Sequence, residues 1–300
     1  MRIVMTGATA GIGLEAAKRL HGDPDGVLVV GARTPAKLPP ALAGAVDARP
    51  LDLASLTSVR AFAAGVLREG PFDALVLNAG LQCSSPRHSQ DGFELNFAVN
   101  HLAHYLLART LATHLKPGGR IILTASGTHD PALATGVPPP HHANAKALAF
   151  PELDQDLDKS AMTAGMRAYS TSKLCNVMTA RELAKRLAAD RPDLAVIAFD
   201  PGLTPGTGLA RHHFGPIGVI FKHVLPLVMR KGPGVSTPEN SGRLLADLVL
   251  SPDYGAARGD YFAVRGEALA RRDPSELARD DAACAKLWDD SAELVGLPTA

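Results

Sequence analysis

Short apolar runs recur along the chain, separated by longer stretches in which apolar positions return every three or four residues. The runs at 3–6, 27–32, 49–53, 74–78, 120–125, 194–199 and 261–264 are rich in Val, Ile and Leu and mostly lack polar alternation. That is the pattern of a parallel strand covered on both faces. The stretches 12–20, 56–67, 93–115 and 169–188 have helical length and period. Alternation of the two predicts crossover units, hence an α/β fold: a doubly wound sheet of seven mostly parallel strands with helices on both faces. No internal repeat is present, and residues 1–300 are read as one domain.

Two stretches interrupt the rhythm. Residues 127–167 contain Val137-Pro138-Pro139-Pro140 and a polar tail from Asp154 to Lys159, which predicts an insert or lid. Residues 203–232 follow the sixth strand, mix His212-His213 with an apolar stripe, and are expected to form a substrate-binding lid. Both stretches follow carboxyl ends of strands, the edge at which open α/β sheets bind ligands.

The segment Thr6-Gly7-Ala8-Thr9-Ala10-Gly11-Ile12-Gly13 leaves the first strand and opens the first helix. In that context the glycines have separate tasks: a tight turn at Gly7, close approach of a pyrophosphate at Gly11, and helix–sheet contact at Gly13. Thr9, Ala10 and Ile12 complete the cradle, with the positive end of the helix dipole facing the anion. The fold is therefore expected to be of the Rossmann type. The second strand ends Val30-Gly31-Ala32-Arg33, with no carboxylate to hold a ribose diol. A guanidinium there suits a 2′-phosphate, which points to NADP(H) rather than NAD(H). Asp52, with Leu53 beside it, is expected at the adenine edge.

Composition narrows the function classes. There are 31 Lys+Arg against 30 Asp+Glu, so nothing favours nucleic acid or an anionic membrane as partner. The three cysteines include no Cys-x-x-Cys pair, which argues against a disulfide framework or structural zinc and for a reducing, cytoplasmic setting. The first strand begins beside the initiator, so no signal or transit peptide is expected. The apolar stretch 216–221 meets Lys222 and His223 too soon to span a bilayer. His101 and His104 have a spacing that metals use but no matching carboxylate, and no metal is expected.

The glycine pattern, Asn78-Ala79-Gly80 after the fourth strand, Ser126 after the fifth and Tyr169-Ser170-Thr171-Ser172-Lys173 together resemble the short-chain dehydrogenase/reductase family. The match runs from Gly7 to Gly202. The stretch Val99 to Leu107, the Pro201-Gly202-Leu203 turn with Thr207-Gly208-Leu209, and the close from Lys286 to Leu297 are similar to its retinol dehydrogenase-like and light-dependent protochlorophyllide reductase-like branches. The insert ending Gly136-Val137-Pro138-Pro139 is nearer to the latter. Leu77 stands where the family has a first Asn before Asn78. Gly206 stands where a Thr is expected, which leaves Thr204 and Thr207 as alternative partners of the nicotinamide carboxamide.

Tyr169 and Lys173 share one helix face, and a nearby ammonium is expected to lower the phenol's pKa. The resemblance implies that Tyr169 is the acid/base, that Lys173 also holds the nicotinamide ribose, that Ser126 bonds the developing oxyanion, and that Asn100 holds a water linking Lys173 to solvent. It further implies cofactor contacts at Asn78, Ala79, Gly80, Pro201, Gly202, Leu203 and Thr204 or Thr207. The reaction expected is interconversion of a carbonyl and an alcohol with NADP(H), on a hydrophobic substrate. Reduction of an activated C=C bond is the variant, and a non-catalytic NADP-binding regulator is the rival. Relatives pair through the helices carrying the Asn and the Tyr/Lys. The insert before Tyr169 is expected to cover that surface, which favours a monomer over a homodimer or homotetramer.

Overall fold

The computed structural model describes residues 1–22, 25–85, 87–205 and 234–299. Its strands are β1 (Arg2–Thr6), β2 (Val27–Ala32), β3 (Asp47–Pro50), β4 (Phe72–Leu77), β5 (Leu115–Thr124), β6 (Ala195–Asp200), β7 (Arg258–Arg265) and β8 (Ala268–Arg272). Its helices are α1 (Gly11–Leu20), α2 (Leu56–Leu67), α3 (Leu95–Phe97), α4 (Ala103–Leu111), α5 (Ala145–Ala149), α6 (Ala161–Leu187), α7 (Pro238–Leu250), α8 (Glu276–Arg279) and α9 (Asp281–Leu294). One sheet holds the strands in the order β3-β2-β1-β4-β5-β6-β7-β8. The order reverses between β1 and β4, the switch point at which such sheets bind ligands.

Successive strand side chains point to opposite faces, so uninterrupted apolar runs give the sheet two apolar faces. Val4, Val29, Leu75, Ile121 and Val196 pack on one side with residues of α2, α4, α6 and α9. Ile3, Met5, Leu28, Val30, Val76 and Ile197 pack on the other with α1 and α7. Gly242 brings α7 unusually close to α1: a Cβ there would lie 2.4 Å from Glu15 Cβ and 2.8 Å from the Ala16 nitrogen.

The sheet has eight strands rather than seven. The additional strand, β8, runs antiparallel to β7 after a turn at Gly266, whose φ is +62°. Its sequence, Ala-Leu-Ala-Arg-Arg, lacks the apolar run of a buried strand because it lies at the sheet edge. β3 ends at Pro50, two residues short of Asp52. The predicted helix 93–115 is interrupted by a widened π-type turn at Ala98–Leu102, and the chain enters β5 at Leu115.

The helix that carries Tyr169, α6, starts eight residues earlier than its apolar period indicated. Ser160 caps α6 by accepting from the Thr163 nitrogen, and Arg167 forms a forked pair with Asp158 at 2.7 and 3.1 Å. Arg167 also donates to the Pro139 carbonyl, so the proline-rich stretch is tied to the helix that carries Tyr169. Of the predicted lid 203–232, only Leu203 to Pro205 lie within the described residues. Leu203 pairs with Val235, donating to the Gly234 carbonyl at 2.8 Å and accepting from the Ser236 nitrogen at 2.9 Å.

Candidate active site

The turn after β1 has the geometry of an anion cradle. Gly7 and Gly11 adopt φ of +71° and +55°, values that a side chain disfavours. A Cβ on Gly13 would lie 1.9 Å from the Gly7 carbonyl oxygen, so only glycine lets α1 start this close to β1. No side chain caps α1 at Ala10, and the first-turn N–H groups remain available to an anion. Thr9, Ala10 and Ile12 lie in this turn, and the residues present fit a dinucleotide pyrophosphate.

A buried network connects the cradle to the next two loops. Thr6 Oγ1 accepts from the Asn78 and Ala79 nitrogens at 3.0 and 3.1 Å, and Asn78 Nδ2 donates to the Gly7 carbonyl at 3.1 Å. The Thr6 hydroxyl proton is then left for His104 Nε2, 3.0 Å away. That places the imidazole proton on Nδ1, which donates to the Asn100 carbonyl at 3.0 Å. Burial pushes His104 down to about 3, so it is a neutral relay between loops. His101 is likewise pushed down to about 3 by burial and meets Ser291 Oγ at 3.0 Å.

Asn100 lies in the π-type turn, where the widened backbone frees a carbonyl from the helical ladder. That carbonyl accepts from His104 Nδ1 and from Asn176 Nδ2. The Asn100 amide clamps both main-chain groups of Leu81 at 2.9 Å and donates to Ser172 Oγ at 3.0 Å. Ser172 in turn donates to the Tyr169 carbonyl at 2.7 Å. Asn100 therefore orients the loop after Gly80 and the turn of α6 that presents Tyr169.

Tyr169, Lys173 and Ser126 come together at the carboxyl end of the sheet. Ser126 follows β5, caps the next turn by accepting from the Thr128 nitrogen, and is close enough to the phenol to favour its ionised form. Lys173 Nζ donates to the Thr124 carbonyl at 3.1 Å and lies 5.8 Å from the Tyr169 ring centre. Gly80 permits this: a Cβ there would approach Nζ to 3.3 Å. The electrostatics correct one expectation. Burial pushes Tyr169 up to about 12, with Ser126 opposing and Asp200 reinforcing, and it pushes Lys173 down to about 8. Desolvation of the phenolate is the largest cause, and Lys173 is not among the groups that shift the phenol.

The remaining predicted positions differ in what surrounds them. Arg33 follows the end of β2 and has an exposed side chain. Lys37, which the motif search passed over, is also exposed one short turn later. Asp52 accepts from the Ala54 nitrogen and from Gln90, and Leu53 packs half-buried against the core. Pro201 and Gly202 form the turn after β6, with Gly202 at φ +73°. The Thr204 hydroxyl is drawn to the Pro201 and Gly202 carbonyls and to Ser241. Thr207 lies outside the described residues. Sequence reasoning also missed Thr6, His104, Asn176 and Asp200. The i+4 step from Asn100 to His104 and the i+3 step from Lys173 to Asn176 were the only signals for two of them.

A family model for short chain dehydrogenases matches residues 1–137. Protochlorophyllide reductase A of Oryza sativa subsp. japonica is 33% identical to this protein over 98% of the chain and 80% of its own length. The chain belongs to the short-chain dehydrogenase/reductase family. The protochlorophyllide reductase of Chlamydomonas reinhardtii is 32% identical over 98% of the chain and 77% of its own length, which places the similarity in the protochlorophyllide reductase-like branch. A short-chain dehydrogenase of Burkholderia cenocepacia solved in complex with NADP shares the fold, with a TM-score of 0.63 and 22% identity over 88% of this chain and 96% of that one. A Serratia marcescens short-chain dehydrogenase/reductase also matches, with a TM-score of 0.63 and 20% identity over 89% and 98%. As a member of this family the protein is an oxidoreductase, and the reading as a non-catalytic regulator is set aside.

Proposed function

We propose that the enzyme uses NADP(H) to reduce a hydrophobic carbonyl compound, with Tyr169 as proton donor. The observation that carries this reading is the buried phenol, held in its protonated form by desolvation, with Lys173 Nζ 5.8 Å from its ring one turn along the same helix. When bound, the dihydronicotinamide supplies the hydride. Ser126 holds the carbonyl oxygen while Tyr169 gives it a proton, a transfer favoured by a phenol still protonated at neutral pH. Lys173 holds the cofactor ribose and returns a proton to Tyr169. Asn100 keeps the loop after Gly80 and Ser172 in place, and it stands beside the route by which a water would reach Lys173.

The cofactor's pyrophosphate would lie on Gly7, Gly11, Gly13 and the first turn of α1. Arg33, with Lys37, would hold the 2′-phosphate, and the complex of the Burkholderia relative with NADP supports the same cofactor. Asp52 and Leu53 would flank the adenine. Asn78, Ala79, Gly80 and the turn from Pro201 to Thr204 would face the ribose and nicotinamide. A hydrophobic substrate is supported by two half-exposed leucines at this edge. Leu133 Cδ1 lies 3.2 Å from where a Gly127 Cβ would be, next to Ser126, and Leu203 follows the Pro201-Gly202 turn.

The similarity to protochlorophyllide reductases over 98% of the chain favours a second reading, reduction of an activated C=C bond with Tyr169 protonating carbon. No described helix is long and apolar enough to cross a membrane. The three cysteines are free and buried, which supports a reducing, cytoplasmic setting.

NADPH consumption across apolar aldehydes, ketones and enones separates the two readings, since turnover of enones alone selects the second. Tyr169→Phe is expected to lower kcat by about 10² or more with NADPH affinity unchanged. A Tyr169→Phe variant as active as wild type would overturn both.

A further inference from the structure

The loop after β4 lies along the helix that carries Tyr169. A Cβ on Gly80 would come within 3.3 Å of Lys173 Nζ. A Cβ on Gly165 would lie 2.3 Å from the Cys83 carbonyl oxygen and 3.0 Å from Ser84 Cα. Gly165 and Lys173 are two turns apart on α6, with Tyr169 midway between them on the same face. The helix rises about 12 Å from one to the other, and an extended chain covers about 10–13 Å from Gly80 to Cys83 or Ser84. The two lengths agree, so the segment runs antiparallel to α6 and passes Tyr169 at Leu81 and Gln82.

The main chain is fixed on both sides of Gln82. The Asn100 side chain holds the nitrogen and the carbonyl of Leu81, each at 2.9 Å, and Asn96 Oδ1 accepts from the Cys83 nitrogen at 2.9 Å. Glu94 sets the Asn96 amide: its carboxylate accepts from Asn96 Nδ2 at 2.8 Å and from the Phe97 nitrogen at 2.7 Å, which leaves Oδ1 for Cys83. Gln82 itself is half-buried. Neither its side-chain amide nor its main-chain groups have a hydrogen-bond partner among the described residues. A side-chain amide anchored this firmly, with its donors unused, is a binding position prepared in advance, because little backbone freedom remains to be lost when a ligand takes them.

We propose that Gln82 is a specificity-determining residue, and that the substrate carries a second carbonyl oxygen next to the one that is reduced, as in an α-keto ester or a 1,2-diketone. This rests on the reading of Tyr169 as proton donor to a carbonyl. Tyr169 and Ser126 take the reacting oxygen, and the Gln82 amide donates to its neighbour. Gln82 reaches only one side chain's length from a segment that passes Tyr169 itself, so the group it holds has to adjoin the reacting carbonyl. Leu133 and Leu203, both half-exposed at this edge, meet the apolar remainder of the molecule.

The test compares kcat/KM for NADPH-dependent reduction of ethyl benzoylformate and of valerophenone, aromatic ketones of equal chain length of which only the first has the adjoining ester carbonyl. Their different intrinsic reactivity cancels when the ratio of the two values is compared between wild type and variants. Gln82→Leu removes the amide, and Gln82→Glu keeps the length but not the donor. Each is expected to lower the ratio by about tenfold or more, the worth of one neutral hydrogen bond. A ratio unchanged in either variant, or equal losses on both ketones, overturns the proposal, as does a wild type that reduces neither. If Tyr169→Phe is inactive while the ratio holds in the Gln82 variants, only the role of Gln82 fails. If Tyr169→Phe reduces both ketones normally, the reading of the active site fails first.

Discussion

Replacing Lys173 by Met should abolish turnover and yet make the cofactor-free protein more stable. Lys173 is 2% exposed, and burial lowers its pKa from 10.5 to about 8. The difference is about 2.5 pH units, which at 1.36 kcal/mol each is a penalty of about 3 kcal/mol for carrying the charge into the fold. Against it stands the hydrogen bond to the Thr124 carbonyl, worth about 1 kcal/mol. That carbonyl also accepts from Asn176 Nδ2 at 3.0 Å, so removing the lysine leaves no orphaned acceptor. The net gain is about 2 kcal/mol, or roughly 3 °C in Tm for a chain of 300 residues. The folded pKa lies below the unfolded one, so the penalty is complete below pH 8, fades as pH rises from 8 to 10.5, and is absent above. Thermal unfolding at pH 7 and at pH 10, followed by circular dichroism without cofactor, checks both parts. A variant that melts at or below wild type at pH 7, or that keeps an equal gain at pH 10, would refute the reasoning.

Three further outcomes are expected. Wild type should prefer NADPH over NADH in kcat/KM by about one to two decades, and Arg33→Ala should remove most of that preference by weakening NADPH alone. Equal use of the two cofactors by wild type would count against the 2′-phosphate site. Gly242→Ala puts a methyl within 2.4 Å of Glu15 Cβ and should cost about 1–3 kcal/mol while weakening NADPH binding through displacement of α1, measured by denaturant unfolding and cofactor titration. The protein should sediment as a monomer at micromolar concentration, because α9 covers the face of α4 and α6: Trp288 packs edge-on to Tyr105 at 4.9 Å between Arg109 and Arg186. Trp288→Ala should then expose that face and produce association, and a stable wild-type tetramer would exclude the idea.

Much of the fold was legible because β1, β2, β4, β5 and β6 are buried on both faces and must be written as unbroken apolar runs. β8 was not, since an edge strand carrying Arg271 and Arg272 has one solvated side and no such run. The start of α6 at Ala161 was also hidden. Its first two turns are held by a Ser160 cap and by Arg167 reaching Asp158 and Pro139, contacts that leave no periodic trace. The surface expected to lie under the proline-rich insert also carries α9, packed beside α5 of the insert with Lys146 paired to Glu293, because Tyr105 and Trp288, 183 positions apart, meet only in the folded chain.

The same division holds in the active site. The sequence alone pointed to the residues proposed to carry chemistry: glycines where backbone conformation and close approach forbid a side chain, a Tyr and a Lys one helical turn apart, and Arg33 in place of a carboxylate. Each is legible because the constraint is local, a dihedral, a turn of helix or a strand end. Only the tertiary structure decided their state. Burial in a water-poor cleft, rather than the adjacent lysine, sets the phenol's pKa. Thr6 from one segment and His104 with Asn100 from another join the turn after β1 to the helix that carries Tyr169. Asp200 meets Tyr261 across two neighbouring strands and rests against the main chain of Gly127. Solvation and long-range contact are properties of the packed molecule, and they leave no pattern along the chain.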